Sequence, residues 1–216
     1  MNLRFASAAL LGGVLLSGSA FAAPLVVDFE TPTSFASIAE HYNGGVDSAD
    51  VAGANLGVSF GLDALALRND ELGPYFSNAP SPVGVLTAPF GDAAMNVAVG
   101  FLGVVSFSYA STGVGEIGVW SGMNGTGTRL GGLAVTANAA ACAEATPLCT
   151  FGVASFDLGT NVAKSITFGD AAGMTVVFDD VTVTAVPEPG TYALMGLGLA
   201  AIAGVARRSR RNVSAN

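Results

Sequence analysis

The chain has 216 residues, of which 51% are hydrophobic and 11% are charged, and its 16 acidic against 8 basic residues give a formal net charge of −8 at pH 7. This length suits one domain with terminal extensions. The acidic balance argues against a nucleic-acid-binding protein, because binding to phosphate backbones depends on basic surfaces.

The beginning of the chain has the three parts of a secretory signal peptide. Arg4 supplies the positive charge, residues 5–16 supply the apolar core, and Ala20-Phe21-Ala22 supplies a small-x-small cleavage site. The sequence therefore predicts a signal helix over residues 1–22 and a mature chain that begins at Ala23.

Residues 23–185, the predicted exported domain, are more acidic than the whole chain. They hold three cations, Arg68, Arg129 and Lys164, against fifteen acids, which gives a net charge near −12. Such a surface repels nucleic acid and anionic membranes and favours solubility outside the cell.

Short apolar runs with a period of two fill this part of the chain. From residue 97 to 109 the odd positions are mostly large and apolar, with a bend expected near Gly103. The turn formers at 121–129 predict a hairpin. The remaining strands are predicted at residues 25–29, 55–60, 64–67, 116–120, 130–136, 151–156, 163–168 and 174–184. Such a succession predicts an all-β fold, a single antiparallel β-sandwich of the jelly-roll or carbohydrate-binding-module type.

Two segments stand apart from the strand pattern. Residues 72–94 contain four prolines, at 74, 80, 82 and 89, and are predicted to form a long irregular loop. Cys142 and Cys149 are the two cysteines of the chain, and in an exported protein they predict one disulfide. Closing so short a loop contributes about 2–3 kcal/mol. A metal site would need more soft ligands than this pair.

Two glycine-rich strings match catalytic or nucleotide-binding motifs in letters alone. Residues 57–61 match GxSxG around Ser59, but the flanking residues continue a strand, and the single His41 lies upstream. Residues 113–118 match GxGxxG, but a strand follows where a dinucleotide site needs a helix. We therefore predict no catalytic residues, and we interpret His41 as a solvated or hydrogen-bonded loop residue.

Acidic residues near the two ends of the domain suggest a cation site. Asp28 and Glu30 lie on one face of the first predicted strand. Asp179 and Asp180 lie in the last, and the first and last strands of a jelly roll commonly lie close together. By fold-level analogy with carbohydrate-binding modules, the four carboxylates are a candidate structural Ca²⁺ site. Solvated strand-end acids are the alternative.

Weaker candidates complete the set of possible sites. Asp47 and Asp50 form a second candidate cation pair. Trp120 is the leading candidate for stacking on a sugar, because it ends a predicted strand beside the 121–129 turn; a tryptophan of the core is the alternative. The other aromatic candidates are Tyr42, Tyr75, Phe76 and Tyr109.

The last thirty residues have a three-part organisation. Val186, Pro187, Glu188 and Pro189, followed by Gly190, precede an apolar segment at 191–206 and a basic end at 207–211. As a helix, the fifteen uncharged residues at 192–206 would span about 22 Å, which is short of the ~30 Å hydrocarbon core. The four arginines of the basic end, Arg207, Arg208, Arg210 and Arg211, would stay on the cytoplasmic side and orient the segment.

This tail, residues 186–216, resembles the PEP-CTERM sorting signal of exported proteins of Gram-negative bacteria. The resemblance implies processing by an exosortase-type membrane protease. It also implies a protein held in the membrane by the C-terminal helix and then placed at the cell surface or outside the cell, often in strains that make extracellular polysaccharide. An ordinary C-terminal membrane anchor is the alternative.

A second resemblance covers residues 97–184. The Asn-Gly-Thr-Gly turn at 124–127, the paired cysteines and the closing Phe-Asp-Asp strand are similar to a group of PEP-CTERM proteins whose exported domains have no assigned activity. It implies an extracellular all-β domain and supplies no catalytic residues.

From these features we expect a non-enzymatic cell-surface or matrix protein associated with extracellular polysaccharide. A carbohydrate-binding module with a defined sugar site is the alternative. A secreted hydrolase is a third hypothesis, for which the sequence supplies no catalytic constellation.

Overall fold

One long strand connects the two halves of the fold. In the computed structural model, β5 (Ala93–Ser111) runs through 19 residues and bends where Gly100 and Gly103 take positive φ angles of 87° and 73°. Glycine adopts this backbone region without the Cβ clash that other residues meet. The bend predicted near Gly103 is therefore confirmed, and it lets a single strand pair with different neighbours along its length.

The structure describes residues 23–71, 73–89, 93–139, 146, 148–170, 176–186 and 195–203. Within these ranges the other strands are β1 (Pro24–Val27), β2 (Val58–Phe60), β3 (Leu65–Arg68), β4 (Gly84–Thr87), β6 (Gly115–Trp120), β7 (Arg129–Val135), β8 (Gly152–Asp157), β9 (Ala163–Asp170) and β10 (Val176–Ala185).

All pairings between these strands are antiparallel, and they form two layers joined through β5. The first half of β5 pairs with β2 and with β9, and the layer continues through β6 to β7. The second half pairs with β8 and β10, and β10 pairs on its other side with β1 and β4. The first and last strands therefore lie side by side, as predicted.

The main core fills the space between the layers. Phe168 of β9 packs edge-on against Phe107 of β5, at a ring-centroid distance of 6.2 Å, and 4.8 Å from Phe178 of β10. All three rings are fully buried or nearly so. Such aromatic pairs add about 0.5–1.5 kcal/mol each beyond the area they bury. The buried aromatic cluster thus holds the two layers face to face.

A second, smaller core covers the outer face of the β10 layer. Phe76 and Leu148 are buried there against Leu67, Val85 and Val177. Because these residues come from β3, β4 and β10 and from two loops, the loops are fixed on the sheet.

The proline-rich segment is more ordered than the sequence predicted. The interpretation of 72–94 as one irregular loop is wrong at β4, whose four residues are all buried between β3 and β10. A strand buried on both faces lacks the alternation by which strands are recognised, and nearby prolines hid this short one. The all-β class and the sandwich architecture are confirmed.

The termini are described only in part. Residues 195–203 form a helix with exposed side chains, at the place predicted for the C-terminal hydrophobic helix. In the described ranges no helix is long and apolar enough to span a membrane. The predicted signal peptide at 1–22, and with it the signal helix, lies outside the described residues.

Candidate functional site

Trp120 lies on the outer face of the β9–β6–β7 layer. In β6 the side chains of Ile117 and Val119 enter the core, so the residues that alternate with them face outward. The half-buried indole lies across Gly118, and its Nε1–H donates a 3.0 Å hydrogen bond to Thr167 Oγ1 of β9. The ring is thereby fixed on the surface, and the alternative of a core tryptophan is excluded.

The hairpin turn after Trp120 is docked onto the sheet. The Asn96 side chain on β5 donates to Asn124 Oδ1 at 2.8 Å and accepts the Asn124 N–H at 2.7 Å. Ser165 of β9 accepts the Gly125 N–H at 3.0 Å and donates to the Gly122 carbonyl at 2.6 Å. Four hydrogen bonds from buried side chains hold the turn in place, so it forms a rigid wall beside the indole.

A small pocket opens on this face. Its volume is about 250 Å³, and its walls are the five residues that we call the Trp120 surface: Glu116, Gly118, Trp120, Arg129 and Thr167. Arg129 forms an ion pair with Glu116 at 2.6 Å. Both side chains remain substantially exposed, so the pair contributes little to stability and its polar atoms are available to a ligand. The surface combines an aromatic face with hydrogen-bonding groups of both signs.

The other aromatic candidates are less suited to stacking. Tyr42 and Phe76 are buried in the two cores, and burial raises the pKa of the Tyr42 hydroxyl. Tyr109 is half-buried and packs at the edge of the main core. Tyr75 is half-buried against the second core and packs edge-on against the exposed ring of Phe35, with 5.4 Å between ring centroids.

The four acids of the calcium hypothesis lie near one another but face different partners. Glu30 Oε1 accepts the N–H groups of Val83 and Gly84 at 2.8 and 2.7 Å. Asp28 accepts the Glu30 N–H at 3.3 Å. In the described part of the chain, no group of three or more His, Cys, Asp or Glu residues could hold a metal ion. Asp28 and Glu30 were predicted to lie in the first strand, but β1 ends at Val27, so both lie just after it. Glu30 and Asp179 bind backbone N–H groups of residues 81–84, and Asp179 and Asp180 both contact the hydroxyl of Ser81.

Asp179 and Asp180 share the hydroxyl of Ser81. Ser81 Oγ lies 2.9 Å from Asp179 Oδ1 and 2.8 Å from Asp180 Oδ1, and its single hydrogen can serve one of them at a time. Asp179 is fully buried and also accepts the N–H groups of Ser81 and Asp180. Burial raises its pKa to about 6, although these hydrogen bonds oppose the shift. The pair attaches the proline-rich segment to β10.

The second acidic candidate stabilises a turn. Asp47 accepts the N–H groups of Thr33, Ala49 and Val51 at 2.8–2.9 Å. Burial opposes its ionisation, but these hydrogen bonds outweigh that effect and lower its pKa. Asp50 is exposed in the same turn with a φ of 65°. This geometry is that of a capped turn.

His41 was predicted to be a solvated or hydrogen-bonded loop residue, and it is the second of these, because it is fully buried and both ring nitrogens have partners. Its Nδ1 lies 3.0 Å from the Val51 carbonyl, which can only accept, so Nδ1 carries the hydrogen. Nε2 then accepts the Thr31 hydroxyl at 2.8 Å. Both ring nitrogens are thus occupied.

Ser59 lies within β2, which pairs with β5, so the GxSxG string is a strand as predicted.

A second pocket, which the sequence did not reveal, surrounds Arg68 at the end of β3. Its volume is about 390 Å³. The residues that line it, which we call the Arg68 pocket, are Thr31, Thr33, Ser34, Val51, Arg68, Asn69 and Asp70. Three chain segments contribute to it, so no local motif marks it. The available signal was the scarcity of cations, since Arg68 is one of three in residues 23–185.

Of the two cysteines, the described residues include Cys149 alone. Cys142 lies outside the described residues, so its disulfide with Cys149 stays a prediction. The Cys149 carbonyl accepts the Asn78 side-chain amide at 3.1 Å. Ser77 N–H donates to the neighbouring Leu148 carbonyl at 2.9 Å, so the proline-rich segment pairs with the cysteine segment.

The end of β10 leads directly into the tail. The Val186 N–H donates to the Gly100 carbonyl at 2.9 Å, which extends the pairing of β10 with β5 by one residue. Residues 185–211 match the family model described as the PEP-CTERM protein-sorting motif. The chain carries a PEP-CTERM tail. The motif marks an exported protein and implies processing by exosortase, a membrane protease. Pro187, Glu188, Pro189 and the four arginines lie outside the described residues.

Comparison with solved structures finds similar chains at low identity and low TM-score. A family 29 carbohydrate binding module from Piromyces equi, CBM29_1, is 15% identical with a TM-score of 0.43, over 76% of this chain and 91% of that module. The K1 cleaved adhesin domain of Lys-gingipain from Porphyromonas gingivalis W83 is 16% identical with a TM-score of 0.42, over 76% of this chain and 99% of that domain. No curated protein matches the chain. At these values the similarities carry no information about a ligand.

Proposed function

We propose that the exported domain is a non-enzymatic surface or matrix protein that associates with extracellular polysaccharide through the Trp120 surface. The observation that carries the proposal is the indole, held flat on the outer face of a sheet by Thr167 and walled by a docked turn. A sugar ring presents an apolar face and several hydroxyl groups. A fixed aromatic side chain can stack on that face while neighbouring polar side chains bind the hydroxyls.

We propose a non-enzymatic protein because the side chains that a hydrolase would need are buried or already bonded to other groups. Ser59 is part of a strand, and the ring nitrogens of His41 are already bonded to Thr31 and Val51. Asp179 has a raised pKa, as a general acid would, but its carboxylate is fully buried under Ser81. A substrate could not reach it without displacing the proline-rich segment.

The experiment is a glycan and polysaccharide array probed with wild-type protein and with Trp120→Ala. Trp120→Phe serves as a matched variant, because it keeps a stacking ring while losing the bond to Thr167. We expect binding that falls at least about tenfold with Trp120→Ala and by less with Trp120→Phe. Binding that both variants retain would refute the assignment to this surface.

The same array distinguishes the proposed matrix protein from the stricter alternative, a carbohydrate-binding module with a defined sugar site. A single class of glycan bound through Trp120 would favour it, whereas weak binding to many polysaccharides favours a general matrix protein. Activity on a panel of polysaccharides and esters that is lost on mutating one acid or Ser59 would instead support the hydrolase.

A further inference from the structure

Arg68 is half-buried, and its guanidinium has neither a short hydrogen bond nor an ion pair among the described residues. Its Nη1 donates to the Pro32 carbonyl over 3.4 Å, which is long for such a bond, and its Nε is buried without any acceptor. Within the described ranges, the ion pair found joins Arg129 to Glu116 and does not involve Arg68. Arg68 lines the pocket with a guanidinium whose one hydrogen bond from Nη1 is long, so its outer N–H groups can donate to a ligand there.

The walls of the Arg68 pocket are held in fixed positions. His41 binds Thr31 on one wall and Val51 on another, so a single buried ring ties the two together. Asp47 binds the N–H groups of Thr33 and Val51 and fixes the turn between them. A pocket held in this way does not have to be ordered when a ligand enters, which favours affinity.

The remaining polar groups of the pocket suit a molecule with one acidic group and several hydroxyls. Arginine presents a planar fork that matches a carboxylate in two parallel hydrogen bonds. Asp70 also lines the pocket, and its negative charge opposes the entry of more than one anionic group. The exposed Phe35 follows Ser34, and Tyr75 donates its N–H to Asn69 Oδ1, so an aromatic pair stands beside the opening.

We infer that the Arg68 pocket binds a uronic acid residue of an acidic polysaccharide, with the sugar carboxylate on the Arg68 guanidinium. The inference rests on the proposed association with polysaccharide, and it names a second surface and the chemical class of sugar. The domain is acidic elsewhere, so an anionic polymer is repelled from most of its surface. Binding is therefore confined to the few places that hold a cation. Arg129 is already paired with Glu116, whereas Arg68 lines a pocket and takes no part in that ion pair.

The test is a calorimetric titration of the purified full chain with tri-galacturonate, with maltotriose as the neutral probe. Arg68→Gln should weaken tri-galacturonate binding at least about tenfold, the loss expected for one bidentate charged pair. Arg68→Lys keeps the charge but lacks the fork, and should show an intermediate loss. Lys164→Gln makes the same change in net charge at an exposed residue of β9 that lines neither pocket, and should leave tri-galacturonate binding unchanged.

A second measurement does not depend on any variant folding. Chemical-shift changes in the wild-type protein on adding tri-galacturonate should map to residues 31–34 and 68–70. Changes that map to the Trp120 surface, equal binding of maltotriose, equal affinity in Arg68→Gln, or binding of a sulfated oligosaccharide alone would each overturn the inference. If the array shows polysaccharide binding that depends on Trp120 while tri-galacturonate does not bind, this inference fails and the proposed function stands.

Discussion

Asp179→Asn should remove a pH dependence of stability that the wild-type domain shows between pH 5 and pH 7. Burial raises the pKa of Asp179 to about 6 in the folded protein, from 3.8 without the fold. The folded state then binds a proton more tightly than the unfolded state over this range. The contribution of Asp179 to the free energy of unfolding is therefore at its full value below about pH 4, and it is lost as the pH rises through about 6.

The size of the effect follows from the two pKa values. Lowering the pH from 7 to 5 should raise the free energy of unfolding by about 1 kcal/mol through Asp179 alone. For a domain of this length, that corresponds to a melting temperature higher by about 2–4 °C. The lowered pKa of Asp47 acts in the opposite sense, but its contribution is lost only as the pH falls below its unfolded value of 3.8, outside this window.

The assay is thermal unfolding followed by circular dichroism at pH 5 and pH 7. Asp157→Asn is the matched control, because it removes one exposed carboxylate and changes the net charge equally. Groups that titrate in every variant cancel when the pH effects are subtracted. Wild type and the control should share the effect, and Asp179→Asn should lack it. An identical pH effect in Asp179→Asn would refute the reasoning.

Three further predictions concern the architecture. In Gly118→Ala the new Cβ would lie 2.8 Å from Trp120 Nε1, so the indole should move, its fluorescence should shift to the red, and stability should fall by about 1–2 kcal/mol. Asn96→Ala removes both bonds to the hairpin turn and should cost about 2 kcal/mol, with faster hydrogen exchange at residues 121–128. A chain ending at Val186 should unfold at the same urea concentration as the full chain, since that residue makes the last described bond to β5.

Each of these has an outcome that would contradict it. Gly131→Ala is the control for Gly118→Ala, because a Cβ on Gly131 has ordinary contacts of 3.8 Å. Equal fluorescence changes in the two variants would mean that the change does not come from displacement of the indole by the new Cβ. Unchanged exchange in Asn96→Ala would mean that the turn is held by other contacts. A lower urea midpoint for the shortened chain would mean that residues after Val186 stabilise the domain.

Much of the sandwich was predictable because its determinants are local. The alternation at 97–109 and the glycine bend gave β5, and the dense turn formers at 121–129 gave the hairpin between β6 and β7. Trp120 was found for the same reason, since it ends a strand beside that turn. The sequence could not show that Asn96 and Ser165 would dock the turn and so fix the indole on the outer face.

Features built from distant residues were missed or misjudged. β4 lacks alternation because both of its faces are covered, so the proline-rich segment was predicted as loop. Asp179 and Asp180 lie in β10 as predicted, but Asp28 and Glu30 lie just after β1, which ends at Val27. The partners of Glu30, Asp179 and Asp180 lie in residues 81–84, which no spacing rule indicates. The Arg68 pocket requires contacts between segments more than thirty residues apart, which pattern analysis of one sequence does not reach.

The most direct test of the account is mass spectrometry of the protein from its native host, performed separately on the membrane fraction and on the extracellular polysaccharide fraction. We predict a chain that begins at Ala23, ends near Pro187–Pro189 and accumulates with the polysaccharide, with Cys142 joined to Cys149. Detection of the protein only with its full tail, and only in the inner membrane, would contradict both the sorting and the proposed function.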